Sequence, residues 1–319
     1  MKSLLFVLAM VPVLLWSGLA VGRLSLTPVQ IWTALLGQGD SLASVVVWEL
    51  RLPRALLAFL VGASLALSGL VMQRVSRNPL ASPGLTGVSA GAALAVVAGI
   101  LLLNTGINLT PWLAIVGGLC AGLLTLLLAG GRQLQPTRIV LAGVAVTALC
   151  GGLTTTLLLR AEADAGEFLF WMAGGVAGRS WPQLTLLLSC MTPPLLALWL
   201  TRRNLELLGG GDEMALSLGL RPARWRAWYL VLATVLAAST VAVAGPIGFV
   251  GLLAPHIVRF CWPGRRLPMG LCLLLGGVLL MAADLLARLP GTVQEIPLGV
   301  MTALLGGPLL LRLMVKEKV

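Results

Sequence analysis

Residues 55–73 read ALLAFLVGASLALSGLVMQ, nineteen positions without a charge and with small residues set among the leucines. A helix rises 1.5 Å per residue, so this run is about as long as a bilayer core is thick. Similar runs recur at 3–22, 84–103, 112–130, 139–158, 184–200, 228–246, 248–261, 269–287 and 297–315. The spacing predicts an all-α membrane protein of about ten transmembrane helices. The run at 248–261 is short for a crossing and is expected to be interrupted by Pro255, so its ends are the least defined. The whole chain of 319 residues is 58% hydrophobic and 10% charged. With ten crossings and short connections, it has no room for a large soluble domain, and 1–319 is read as one transmembrane unit. Disordered, collagen-like and disulfide-scaffold classes are excluded by the same composition.

The formal charge of +11 comes from 22 Lys and Arg against 11 Asp and Glu. In a membrane protein such an excess reports orientation, because Lys and Arg collect in cytoplasmic loops. With a cytoplasmic N-terminus, sixteen basic residues fall inside, from Lys2 through Arg74, Arg77, Arg138 and Arg226 to Lys318. Six fall outside: Arg23, Arg51, Arg54, Arg160, Arg179 and Arg288. Ten crossings then return the C-terminus to the cytoplasm, and no nucleic-acid partner is implied. Two segments outside the crossings are long enough to act, an external stretch over 23–54 and a cytoplasmic loop over 201–226; a further external region spans 160–183.

Gly62 with Ala66, Gly87 with Gly91, and Gly118 with Gly122 give small-residue spacings that let helix backbones approach where lipid supplies no hydrophobic drive. Five cysteines, at 120, 150, 190, 261 and 272, show no CxxC spacing and read as packed thiols. A single His256 offers no metal cluster. The stretch from Ser3 to Gly22 has features of a leader peptide, but its apolar length favours a retained first helix.

The cytoplasmic loop holds Gly209-Gly210-Gly211-Asp212-Glu213-Met214-Ala215-Leu216-Ser217-Leu218-Gly219. Asp212 is expected to cap a short helix and Gly219 to end it. Such a helix, with small and apolar faces, is a docking element. The glycines do not make a phosphate loop, which needs GxxxxGK[ST]. Acid follows them, and no lysine lies between Lys2 and Lys316. Any ATP dependence therefore belongs to a partner, and the chain itself is not read as an enzyme. Gly209 to Asp212 also matches the Gly-x-Gly-Asp of intramembrane proteases, but the second aspartate that chemistry needs is missing from the same site.

On the external side, Arg51-Leu52-Pro53-Arg54 precedes the second helix and Arg288 follows the ninth. Arginines on the side that disfavours them suit an acidic protein partner, which guanidinium binds in bidentate geometry. Snorkelling to lipid headgroups is the plainer reading. Asp284 lies one turn before Arg288 and is expected to pair with it at i,i+4. An intramembrane acid also raises a proton-coupling reading.

Further marks are Gln73 with Asn78-Pro79-Leu80-Ala81 and Pro83-Gly84; Leu141-Ala142-Gly143-Val144-Ala145; Gly245-Pro246-Ile247-Gly248-Phe249-Val250-Gly251-Leu252, then Pro255-His256; and Pro297-Leu298-Gly299-Val300. In this order, with the arginine motif and Asp284, the chain resembles the FecCD family, the permease subunits of bacterial ABC importers for iron-siderophores, haem and cobalamin. That resemblance implies a type II ABC importer permease fold in the bacterial inner membrane. Its implied partners are a second permease subunit, identical or related, two ATPase subunits that carry the ATP and magnesium, and a periplasmic substrate-binding protein. No cofactor is implied in this chain. Arg51, Arg54 and Arg288 would receive acidic residues of the binding protein. Asp212, Met214, Ala215, Leu218 and Gly219 would couple to the ATPase. Pro136 and Thr137 match a gate position where cobalamin relatives carry hydroxyl residues, so Pro136 is a departure. Trp171, Gly174 and Gly175 would border the translocation path, although Trp171 also suits an interfacial anchor. The implied activity is import of a ferric siderophore by alternating access, with haem or cobalamin as alternatives. A proton-coupled carrier using Asp284 is the rival from another class.

Overall fold

A computed structural model of the chain describes residues 2–22, 24, 26–103, 105, 109–130, 136–160, 171–262, 269–289 and 295–317. The described residues are helical or irregular and contain no strand. Every predicted run coincides with a helix. In chain order these are α1 (Lys2–Ala20), the external α2 (Pro28–Leu35) and α3 (Ser41–Val45), then α4 (Leu52–Ser76), α5 (Val88–Leu103), α6 (Thr110–Leu128) and α7 (Pro136–Arg160). They continue with α8 (Trp181–Gly209), α9 (Asp212–Ser217), α10 (Pro222–Ala244), α11 (Val250–Cys261), α12 (Met269–Arg288) and α13 (Leu298–Glu317). Among the described residues, six helices are long and apolar enough to cross a membrane: the continuous Leu42–Ser76 helix through α4, and α6, α7, α8, α10 and α12. The apolar parts of α1, α5, α11 and α13 are shorter.

The helices are not equivalent. In α4 and α10 about four-fifths of the apolar window is buried inside the protein, against about a third or less in α6, α7 and α8. α4 is the hub, with α12, α10, α11 and α8 against it. Its Gly, Ala and Ser content explains this position. A Cβ on Gly62 would collide with the Gly276 carbonyl of α12, and one on Gly69 with the Gly251 carbonyl of α11. α5 and α6 approach in the same way through Gly91 and Gly117. Gly118 and Gly122 turn toward Ala238 and Thr234 of α10. Gly87 packs closely as expected, since a Cβ on it would collide with Val146 of α7, and it has a second task. It lies ahead of α5 at φ 78°, where a short 3₁₀ turn over Pro83–Thr86 joins the helix.

Local chemistry sets the ends. Thr27 and Gln30 form a capping box ahead of α2, with Pro28 in its first turn. One turn of π-helix over Val46–Arg51 leads directly into α4, an irregularity that often accompanies function. Pro255 does not interrupt α11, which runs through it. The break lies upstream, over Gly245–Phe249, where Gly245 has φ 69° and Phe249 φ 65°. The chain needs a partner for these freed polar groups, and the Gly175 N–H donates to the Ala244 carbonyl at 2.7 Å.

Candidate functional site

Three features concentrate polar chemistry. The first joins the outer ends, by the charge bias, of α1, α4 and α12. The Arg54 guanidinium donates to Asp284 Oδ1 through Nε at 3.2 Å and Nη2 at 2.9 Å, and to Glu295 at 3.1 and 2.6 Å. Arg288 takes the other oxygen of Asp284. The expected i,i+4 pair therefore exists, but as part of a four-member network whose Asp284 and Arg288 side chains are each 4% exposed. Arg288 also donates to the Gly18 carbonyl at 3.0 Å. Arg51 donates to the carbonyls of Leu19 at 2.5 Å, Ala20 at 3.0 Å and Leu24. Two arginines thus satisfy the open carbonyls at the C-terminus of α1, where positive charge is favoured. Arg51 is only 7% exposed. All three arginines singled out for docking are engaged within the chain, so an incoming carboxylate would have to displace an internal partner.

Next to this network lies a cavity of about 720 Å³. Arg54, Asp284 and Glu295 form one side, and the others come from the outer ends of α5, α6, α8 and α10 with the segment 171–179. Trp171, Gly174 and Gly175, the residues expected to border a path, line it. Their neighbours Met172 and Ala173 line an open groove along α13 with Pro246, Gly299 and Pro308. The segment therefore separates cavity from groove. It is pinned by the Gly299 N–H, which donates to the Ala173 carbonyl at 3.1 Å, and by Gly174 at φ 71° against Pro246. Phe168 and the other residues of 161–170 lie outside the described residues. Arg179 also lines the cavity. Its Nε is buried without a partner, and among the described residues no carboxylate pairs with it. Burial lowers its pKa from the ordinary arginine value.

At the opposite end, α9 is a six-residue helix. Asp212 is its first residue and not its cap, a place taken by Gly211 at φ 122°. The Asp212 carboxylate instead accepts from Arg77, which ends α4 in the left-handed conformation, and from Arg226 in α10. Asp212 is therefore a clamp that fixes α9 to two core helices. Gly219 ends the helix as expected, at φ 79°, its N–H donating to the Leu216 carbonyl. Met214 and Leu218 are half exposed, as docking requires, but Ala215 is fully buried in the core. The helix phase turns Ala215 inward, and it has no surface to offer a partner.

Thr137 is exposed in the first turn of α7, whereas the side chain of Pro136 and the loop before it lie outside the described residues. Glu295, Arg179, Arg77 and Arg226 belong to none of the sequence motifs above. The signal for Arg226 was Asp212 within the same arginine-rich loop, whereas Arg77 lies far off in sequence. For Glu295 and Arg179 it was their predicted level, the same as Arg54 and Asp284. No group of three or more His, Cys, Asp or Glu among the described residues could hold a metal.

Known proteins align with most of this chain. The family model of the FecCD transport family matches residues 8–316. The Fe(3+) dicitrate transport system permease protein FecD of Escherichia coli K12 is 39% identical over 277 residues, covering 85% of each chain. The vitamin B12 import system permease protein BtuC of Klebsiella pneumoniae is 38% identical over 278 residues, 85% of this chain and 82% of that one. Among solved structures, a metal-chelate type ABC transporter in an inward-facing conformation superposes with a TM-score of 0.88 at 29% identity, over 99% of both chains.

Proposed function

The chain belongs to the FecCD transport family, and from that premise we propose that it is the permease subunit of an ATP-driven importer of a metal chelate, a ferric siderophore or ferric carboxylate before haem or cobalamin. The observation that carries this is α9: a short helix with half-exposed Met214 and, just after it, half-exposed Leu218, anchored by one carboxylate to arginines of both central helices, α4 and α10. A surface that must transmit force needs such an anchor. A partner ATPase that grips α9 would pull on the two helices with the most burial and so reach the outer end. Relatives named as permeases for ferric dicitrate and vitamin B12 support the reading.

The accompanying picture has one domain over 1–319, ten crossings and both termini in the cytoplasm of a bacterial inner membrane. A second permease copy or relative would face the groove along α13, with two ATPase subunits below and a binding protein above. ATP and magnesium would act on the ATPase. Closure of the ATPases would move α9 and change which side of the path is open, while this chain makes no covalent chemistry. Docking at the outer end would use Arg54, the member of the trio that borders a cavity, by exchange of Glu295 for a partner carboxylate. Held between two arginines, Asp284 has a structural task that leaves the proton-coupled reading without support. The test is co-purification and reconstitution with the cognate ATPase and binding protein, with uptake of labelled ferric chelates and cobalamin compared. Uptake that requires the ATPase supports the reading, whereas uptake unchanged in its absence overturns it.

A further inference from the structure

The external segment between α1 and α4 is apolar on two opposite sides. Its inward side packs a small core of its own, Ile31 and Ala34 of α2 with Ala43 and Val47, against Leu19 of α1. Its outward side is apolar as well. Val29, Trp32 and Leu36 follow one another at helical spacing, and each is more than half exposed, as are Leu42, Val45 and Leu50. A helix that is apolar all round does not belong in water. The polar groups of the segment are turned to internal use: Thr27 and Gln30 close the capping box, Thr33 Oγ1 donates to the Val29 carbonyl at 3.0 Å, and Trp48 Nε1 donates to the Ala34 carbonyl at 3.1 Å. Over 24–50 the sequence carries two charges, Asp40 and Glu49, and no lysine or arginine. Such a face gives a charged protein partner little to recognise, whereas lipid needs no more than this. The level is right for lipid too. The continuous helix Leu42–Ser76 has 35 residues and spans about 52 Å, well beyond a hydrocarbon core of about 30 Å. About 20 residues back from Arg74, the length of a core, stands Arg54, which puts 42–51 at the outer headgroup level where tryptophan collects. α1, which packs beside the segment, is itself exposed through Val13 and Trp16 close to its outer end, so lipid reaches this helix.

We infer that α2 and α3 form an in-plane anchor on the outer leaflet, with Val29, Trp32 and Leu36 seated among the headgroups and upper acyl chains of phospholipid and Leu42, Val45 and Leu50 continuing that contact. Arg51 closes the base of the segment, donating to the carbonyls of Leu19, Ala20 and Leu24. The anchor therefore also holds the outer arginine motif at a fixed depth. The inference requires only that the chain crosses a membrane, and it holds for any cargo.

The test is photolabelling of the full chain in nanodiscs of phosphatidylcholine and phosphatidylglycerol. A phosphatidylcholine carrying a diazirine either high on one acyl chain or at its end is the probe, and adducts are mapped by peptide mass spectrometry. The high diazirine should label residues 28–36 and 42–50. The terminal one should label Leu123, an exposed residue within the α6 crossing that serves as the control for lipid access and folding. With Leu123 labelled as in wild type, Trp32→Glu should cut the adducts on 28–36 severalfold, because interfacial binding scales with the apolar area buried, while Trp32→Phe should retain them. The pattern should persist when the ATPase and binding protein are added. Absence of adducts on 28–50 while Leu123 is labelled overturns the inference, as does labelling indifferent to Trp32→Glu. Adducts seen only in single chains, and lost from the paired permease or on addition of the binding protein, overturn it too, because the face would then belong to a protein partner.

Discussion

Asp284→Asn tests the polar core of the outer end. The substitution keeps the shape and removes one negative charge from a site where Asp284 and Arg288 are each 4% exposed and Arg54 is 13% exposed. Arg288 loses its carboxylate and keeps the Gly18 carbonyl at 3.0 Å. Loss of one partner from a buried pair costs about 3–5 kcal/mol, and Arg288 bears most of it. Arg54 retains Glu295 at 2.6 Å, so its share is smaller, on the order of 1 kcal/mol. A total of about 4 kcal/mol, at about 2 °C per kcal/mol for a chain of this size, lowers the thermal midpoint by roughly 8 °C. The assay is tryptophan-monitored unfolding of the purified chain in one detergent at fixed protein concentration. Adding Arg288→Met to Asp284→Asn removes the stranded charge and should recover more than half of the loss. A midpoint within about 1 °C of wild type for Asp284→Asn, together with loss of uptake, would refute the structural role and restore proton coupling.

Other expectations follow from the same geometry. Gly69→Ala places a methyl on the Gly251 carbonyl and should lower the midpoint by several degrees, because overpacking costs about 1–3 kcal/mol, while Gly151→Ala, with open space around it, should not. Leu218→Arg, at the exposed residue that follows α9, should weaken ATPase association at least about tenfold with the midpoint unchanged; intact association would remove α9 from the interface. Arg51→Glu sets a carboxylate against the carbonyls of Leu19, Ala20 and Leu24, so it should destabilise the chain before any docking defect is read. Arg51→Gln is the milder comparison, and equal midpoints for the two would contradict the capping role.

The architecture was largely legible because bilayer-length apolar runs have few alternatives, and each of the ten coincides with a helix. Helix identity within the bundle was less so. Hydropathy is high in every run, and what separates the buried α4 from the outward α8 is small-residue content, which acts only through the partner it meets, as Gly62 does with Gly276. Asp212 looked like a cap because acid before an apolar turn usually is one. Its two arginine partners are separated from it by 135 and 14 residues, and only the first needs the tertiary fold to be seen. Ala215 was assigned to the surface because a six-residue helix has too little periodicity to show its inner face. Glu295 and Arg179 were missed because they come together only around a cavity lined by several helices distant in sequence.

The central claim is that ATP hydrolysis on a partner drives movement of a chelate through this chain. Proteoliposomes holding the permease with its ATPase and binding protein, loaded with ATP and magnesium on the ATPase side, measure it directly. The account predicts chelate uptake that stops when ATP is withheld or Leu218→Arg is introduced, and that is indifferent to an uncoupler. Uptake that persists without the ATPase and collapses with the uncoupler would contradict it.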